Sequence, residues 1–342
     1  MKKVIFLVDM NAFFISCEMT RNPSLVGIPA AVAGDPKRRT GIILAANYEA
    51  RAQGVKTAMV NHEALKRCPE LTLVSPDHHF YGRKSEAVMH LLSNYTPDIE
   101  QNSIDEAWLD MTGSEGLFGK PLNAAQRIMD EIKDRLGLWC SIGIAENKFL
   151  AKMAAEMKKP LGITELWEKD IPERLWPLSV KEMYGVGAKT AEKLNRIGIK
   201  TIGELAKSDV SVIHQALGKV GDEIYWHANG IDHSIILART EDDVKSIGRE
   251  KTLPEDLTDI EKAKMILLEL ADERVIEHEV FVVEFLELRE GVRVLGDADL
   301  LGADERRGRV TRFAPPAQAL DLGNVLHLLR PLDQAELDAL VL

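Results

Sequence analysis

Three carboxylates, Asp9, Asp105 and Glu106, are the residues of this 342-residue chain whose types and spacing could do chemistry. Hard divalent cations take oxygen ligands, and one carboxylate at a strand end, with a pair from a neighbouring strand, could bridge two such ions about 4 Å apart. The ordinary alternative is that Asp9 caps the helix after it and that Asp105-Glu106 is a solvated turn. Spacing alone favours the ordinary alternative, because acidic pairs in turns are common. The neighbouring residues have to decide.

Those neighbours specify elements that would bring the acids together. Lys3 to Val8 is a short, β-branched apolar run, read as a buried strand that delivers Asp9 at its C-terminal end. Residues 11–19 read as a helix, and Pro23 and Pro29 punctuate the way to a second apolar strand, Ala30 to Ala33. Gly41 to Ala46 is another apolar run, followed by a helical pattern from Asn47 that Gly54 closes, with Tyr48 and Arg51 on one face. Asp98 to Met111 reads as a hairpin, with Ile99 and Gln101 leading in, Ile104 to Glu106 near the bend and Ala107-Trp108-Leu109 leading out. The pair Asp105-Glu106 thereby lies beside a strand end. Ala124 to Leu136 reads as helix, Cys140 to Ile144 as strand, and Asn147 to Lys158 as helix until Pro160 stops it.

From Ile171 the texture changes to short helices separated by glycines, with a weak echo of Gly185-Val186-Gly187 at Gly218-Lys219-Val220-Gly221. After the charged linker Glu241-Asp242-Asp243, Ser246 to Thr252 reads as a strand. Thr258 with Glu261 reads as the capping box of a helix running to about Glu277. Beyond Val280 the basic residues are arginine only, seven of them against eleven acids in residues 281–342.

A net charge of −11 argues against an indiscriminately basic nucleic-acid binder and requires any such partner to meet a locally basic surface. Lys181, Lys189, Lys193, Arg196 and Lys200 against Glu182 and Glu192 provide one. Cys17, Cys68 and Cys140 are widely spaced without a CxxC pair, so neither a disulfide framework nor a zinc site is indicated. The N-terminal apolar run is too short and too soon charged for a signal peptide or a spanning helix, and a cytoplasmic location is expected.

Asp9-Met10-Asn11-Ala12-Phe13-Phe14 and Ser103-Ile104-Asp105-Glu106-Ala107-Trp108-Leu109-Asp110 closely resemble the two palm motifs of Y-family DNA polymerases. Asn47-Tyr48-Glu49-Ala50-Arg51 resembles that family's finger motif, and Asn147-Lys148 through Ala151-Lys152 to Lys159-Pro160 resembles its second palm-helix motif. Chance explains one of these motifs, not four in the right order. Within the family the polymerase IV type is the nearer overall. Asn11, where relatives of that type commonly carry a second aspartate, makes the run Asn11 to Glu18 more similar to polymerase V.

The resemblance implies an α+β right-hand architecture: a mixed-sheet palm (residues 1–10 and 77–166), small fingers (11–76), a helix-hairpin-helix thumb (167–233) and a little-finger-like domain (244–342) that diverges after about residue 280. It implies template-directed primer extension from dNTPs, with error-tolerant lesion bypass. Asp9, Asp105, Glu106 and the Met10 carbonyl would hold two Mg2+ ions, or Mn2+, which activate the primer 3′-hydroxyl and stabilise the departing pyrophosphate. Tyr48, Arg51 and Lys159 would contact the triphosphate, a guanidinium binding phosphate as a fork and an ammonium as a point charge. Phe14 matches the aromatic that lies beneath the incoming sugar and excludes a 2′-hydroxyl; Phe13 is counted in the same pocket, although plain packing suits it better.

Gly185-Val186-Gly187 resembles the turn of a helix-hairpin-helix, where backbone amides approach a DNA phosphate, so Gly185, Gly187, Lys189 and, at the start of the last domain, Arg249 are the expected DNA contacts. The expected partners are primer–template DNA and dNTP, with a sliding clamp a further candidate through Gln318-Ala319-Leu320-Asp321-Leu322, which resembles a clamp-docking motif without its final aromatic. Two rival readings stay open: another two-metal enzyme on a palm-like sheet, and a polymerase-like scaffold that holds DNA without catalysis.

Overall fold

A computed structural model of the chain describes residues 2–35, 41–238, 246–275, 282–284 and 292–297, in two compact units, Met1–Arg239 and Thr240–Leu342. The expected first strand is β1 (Ile5–Met10), buried along its whole length. Phe6, Val8 and Met10 enter one core, and Ile5 and Leu7 enter another. A strand this apolar needs both faces of its sheet covered. The period-two alternation then puts Asp9 on the same face as Ile5 and Leu7.

In chain order follow α1 (Phe13–Arg21), β2 (Ala30–Ala33), β3 (Ile43–Ala46), α2 (Tyr48–Ala52), α3 (Asn61–Arg67), β4 (Thr72–Val74) and α4 (His78–Leu92). Next come β5 (Ile99–Gln101), β6 (Glu106–Asp110), α5 (Glu115–Phe118), α6 (Pro121–Leu136), β7 (Cys140–Ala145), α7 (Lys148–Met157) and β8 (Ile163–Glu165). The central sheet has the order β5-β6-β1-β7-β8 and is antiparallel except for β7–β8, so it is mixed, as expected. Tyr81, Val88 and Leu92 of α4 and Ile128 and Ile132 of α6 pack on the Phe6 face. Phe149, Leu150 and Met153 of α7 pack on the Leu7 face. A smaller sheet, β3-β2-β4, has its own core of Ala31, Ile43, Ala46, Ala64 and Leu71. Helix α6 begins three residues before its expected start because Pro121, pre-set in φ and needing no amide partner, opens its first turn.

The seating of α7 depends on one residue without a side chain. A Cβ on Gly143 of β7 would stand 1.9 Å from the Ala151 carbonyl oxygen and 2.5 Å from the Ala155 nitrogen. Both are backbone atoms, which cannot rotate away. Gly143→Ala is therefore expected to push α7 off the sheet and cost about 3 kcal/mol, measured as a lowered urea midpoint; an unchanged midpoint would show that the helix slides freely.

The glycine-punctuated region forms α8 (Ala188–Arg196), α9 (Ile202–Ala206), α10 (Val210–Leu217) and α11 (Lys219–Ala228). The faint echo at Gly218 is a second helix–turn–helix: Gly218 joins α10 to α11 at φ 64. The segment that follows is tied to the start of α7. Asn147 Nδ2 donates to the Gly230 carbonyl at 2.7 Å and the Phe149 N–H to Asp232 Oδ2 at 3.0 Å.

The second unit contains β9 (Ser246–Lys251), α12 (Ile260–Val275), β10 (Val282–Glu284) and β11 (Val292–Asp297), with antiparallel sheet order β10-β11-β9. The expected Thr258 cap is corrected to Asp259, whose Oδ1 accepts from the Glu261 N–H at 2.9 Å and the Lys262 N–H at 3.3 Å. Asp259 is the residue directly before the helix, and its carboxylate reaches these amides. Strands β10 and β11 were not expected. Gln318 to Leu322 lies outside the described residues. No helix among the described residues is long and apolar enough to cross a membrane.

Candidate active site

The ends of β1 and β6 meet. Asp9 stands opposite Glu106 in the antiparallel register, and the Met10 N–H donates to the Asp105 carbonyl at 2.9 Å. Paired residues of neighbouring strands project to one face, so the Asp9 and Glu106 carboxylates both face α7. Lys152 Nζ donates to Asp9 Oδ2 at 3.0 Å and to Glu106 Oε2 at 2.6 Å, and lies 3.1 Å from Glu156 Oε1. Lys159 Nζ donates to Asp9 Oδ1 at 2.8 Å and to Glu156 Oε1 at 2.8 Å. Glu106 also accepts from Asn102 Nδ2. Asp105 sits in the bend before β6, and its Oδ1 accepts from Ser103 Oγ at 2.6 Å. The structure thus gathers Asp9 and Glu106 around one ammonium, that of Lys152, with Met10 and Asp105 beside them through the backbone. Among the described residues, no three acidic, histidine or cysteine side chains converge in metal-binding geometry.

Burial alone would raise the Asp9 carboxyl, but Lys152 and Lys159 against it pull it below the ordinary carboxylate range. Burial alone would likewise lower both ammonium groups, yet Asp9 chiefly raises each of them. The stability that Asp9 contributes is therefore present above the ordinary carboxylate value and is lost as pH falls through the lower, folded value. Near neutrality the carboxylate is charged. Its oxygens suit a hard divalent cation rather than a thiophilic one, and such a cation would take the place of the two ammonium groups.

Of the residues expected at the nucleotide, Tyr48 lies within electrostatic reach of Asp9 and Lys159. The Arg51 guanidinium lies 5.0 Å from the centre of the Tyr48 ring, and its Nε donates to the Ala46 carbonyl at 2.8 Å. The Tyr48 hydroxyl is buried without a hydrogen-bond partner. Burial also raises its phenol above the usual value, so it is a protonated donor with nothing to bond among the described residues. Phe14 is half-buried, stacked on Tyr81 at 4.5 Å and 15° and edge-on to His78 at 5.7 Å. Phe13 is 3% exposed inside the main core, so its expected place in the pocket is corrected: β1 leads straight into α1, and the first helical residue turns inward.

Gly185 has φ 85, a conformation that favours glycine, whereas Gly187 is the N-cap of α8 at φ −76, which any residue adopts. Nothing in the chain lies within 4 Å of a Cβ added at Gly187, and no side chain caps α8. The fold itself therefore does not require that glycine, and the amides of the first turn of α8 face outward. Lys181, Lys189, Lys193, Arg196 and Lys200 are all exposed, Lys189 in the first turn of α8 and Lys193 and Arg196 in its last. Arg249 lies in β9, paired with Val294 of β11.

The sequence reading gave no role to Lys152, Glu156, Tyr81 or Glu18. Lys148, Lys152 and Glu156 recur at the four-residue spacing of one helix face, a signal that was available. Tyr81 donates to Glu18 Oε1 at 2.6 Å across 63 residues, a pairing that no local pattern announces.

Residues 8–156 match the family described as impB/mucB/samB, and residues 168–199 match the IMS family HHH motif. The chain is 66% identical over 273 residues to the DNA polymerase IV of Alkaliphilus oremlandii, covering 80% of this chain and 69% of that protein. It is 62% identical over 272 residues to the DNA polymerase IV of Clostridium kluyveri, covering 80% and 68%. It is 45% identical over 269 residues to DNA polymerase IV 1 of Bacillus subtilis, covering 79% and 65%. Among solved structures it is similar to the Y-family DNA polymerase chimera Dbh-Dpo4(243-245)-Dbh, with a TM-score of 0.74 and 25% identity over 86% of this chain and 98% of that one. At this identity and coverage, with the paired carboxylates and the helix-hairpin-helix in their order, the chain belongs to the Y-family DNA polymerases.

Proposed function

We propose that this chain is a DNA-directed DNA polymerase of the polymerase IV type that extends a primer on a template from dNTPs, including past damaged bases. The observation that carries this reading is the pairing of Asp9 with Glu106 at adjoining strand ends, beside a buried phenol and a guanidinium that suit a triphosphate.

Asp9, Asp105, Glu106 and the Met10 carbonyl would hold the divalent ions, two Mg2+ with Mn2+ as a substitute. When bound, these supply Lewis acidity toward the primer hydroxyl and charge neutralisation at the leaving pyrophosphate. The chain's own residues do the rest. The Tyr48 hydroxyl donates to a phosphate oxygen, Arg51 offers its fork, and Lys159 can exchange Asp9 for a phosphate while staying charged. Phe14 forms the floor beneath the sugar. No protein nucleophile is needed.

On this reading residues 1–10 and 77–166 are the palm, 11–76 the fingers, 167–233 the thumb and 244–342 the little finger, in a protein of the cytoplasm. Gly185 and Gly187 present amides to a phosphate while Lys189 adds charge, a sequence-independent grip that suits a polymerase; Arg249 would add a contact from β9. A sliding clamp engaging Gln318 to Leu322 is a further partner to test.

Gel-based primer extension with the full chain, on undamaged and damaged templates, tests the reading. Extension that copies the template and disappears when the divalent cation is omitted is expected. Tight primer–template binding with no extension in Mg2+ or Mn2+ would favour the scaffold reading, and turnover without a template would favour another palm enzyme.

A further inference from the structure

The turn after α7, residues 158–162, carries Lys159 and is folded so tightly that a Cβ on Gly162 would lie 1.9 Å from the Lys158 carbonyl oxygen. Within it Leu161 sits at φ 58, a backbone conformation that side chains rarely adopt. Local preference does not hold this turn. Two hydrogen bonds to the central sheet do: the Ile142 N–H donates to the Gly162 carbonyl at 2.8 Å, and the Leu161 N–H donates to Asn11 Oδ1 at 2.9 Å.

Asn11 is fixed in turn on every side. It is 2% exposed, its N–H donates to the Trp139 carbonyl at 2.7 Å, its carbonyl accepts from Ser16 Oγ at 2.7 Å, and its Nδ2 donates to Ser141 Oγ at 3.0 Å. A buried amide held this firmly is an anchor for whatever it holds. What it holds is the residue two places after Lys159.

We propose that Asn11 is a positioning residue for Lys159: its side-chain carbonyl clamps the Leu161 amide and so keeps the ammonium of Lys159 beside Asp9, where a dNTP triphosphate arrives. The inference rests on the reading of Lys159 as a triphosphate contact. An amide here supplies the acceptor for Leu161 without placing another negative charge two residues from Asp9. An aspartate could still accept from the Leu161 N–H, and the Ser141 hydroxyl could turn to donate to it.

Steady-state single-nucleotide insertion by the full chain, with Asn11→Ala, Asn11→Asp, Lys159→Ala and the Asn11→Ala, Lys159→Ala double variant, tests the proposal. Lys159→Ala should raise KM for dNTP about tenfold. Asn11→Ala should raise it comparably, with kcat falling by no more than about threefold, and the double variant should be no worse than Lys159→Ala alone. Asn11→Asp should bring KM back toward the parent value. If Asn11→Ala does not fold, Ser141→Ala, which frees only the amide group, should raise KM less and again add nothing to Lys159→Ala. An increase that multiplies with that of Lys159→Ala, or no increase while Lys159→Ala shows one, overturns the inference alone. A KM indifferent to Lys159→Ala overturns it together with the reading of Lys159.

Discussion

Primer extension by the Asp105→Ala, Glu106→Ala double variant is expected to fall by about three orders of magnitude or more, because on the proposed reading it loses oxygen ligands to the catalytic cations and with them several kcal/mol of transition-state stabilisation. The fold should survive. Lys152 keeps Asp9 at 3.0 Å and Glu156 at 3.1 Å after Glu106 is gone, so no buried ammonium is left alone. Asp105 gives up only Ser103 among the side chains. Thermal unfolding of the variant should therefore match that of the parent, and its affinity for primer–template should change little, since the contacts expected to grip DNA lie on other elements. Extension at the parent rate by a folded double variant would remove these carboxylates from the chemistry altogether. Glu106→Gln, which keeps the shape and can still meet Asn102, distinguishes charge from form: the same loss is expected.

The central strand and its acid were legible because they depend on short-range signals. A continuous apolar run marks β1, which the structure sets two residues later than the expected Lys3 to Val8, and the hairpin pattern around Asp105 is found as β5 and β6. The pairing of Asp9 with Glu106 was not a property of either segment. It follows from the register of β1 against β6, which tertiary packing sets, and the sequence entered that decision only through resemblance. Gly143 shows the same limit, since its need for no side chain comes from the backbone of α7, which no local reading places above it. Strand β10 was missed because it lies in Val280 to Leu286, a short apolar run that periodicity alone cannot tell from a buried helix. The short helices after Ile171 were legible in their glycines, and the second hairpin at Gly218 was visible only as an echo until helices stood on both sides of it.

Phe14→Ala is expected to admit ribonucleotides, lowering the discrimination of dNTP over rNTP, as a ratio of kcat/KM values, by on the order of a hundredfold or more. A ring excludes a hydroxyl only if it cannot retreat, and Phe14 has nowhere to go. It stacks at 4.5 Å on Tyr81, Tyr81 donates to Glu18 at 2.6 Å, and Glu18 is held by Arg21 through two contacts of 2.8 Å. Glu18 and Tyr81 are themselves buried, so the support beneath the ring is as rigid as the core. Truncation to alanine leaves that support in place and removes only the wall. Insertion of dNTP should fall far less than insertion of rNTP rises, because the proposed triphosphate contacts lie on other residues, Tyr48, Arg51 and Lys159. If Phe14 were merely a packing residue, the variant would lose stability and both substrates would suffer alike. Equal discrimination in variant and parent, measured on one template with both nucleotide types, would therefore return Phe14 to the core and leave the sugar pocket to be sought elsewhere.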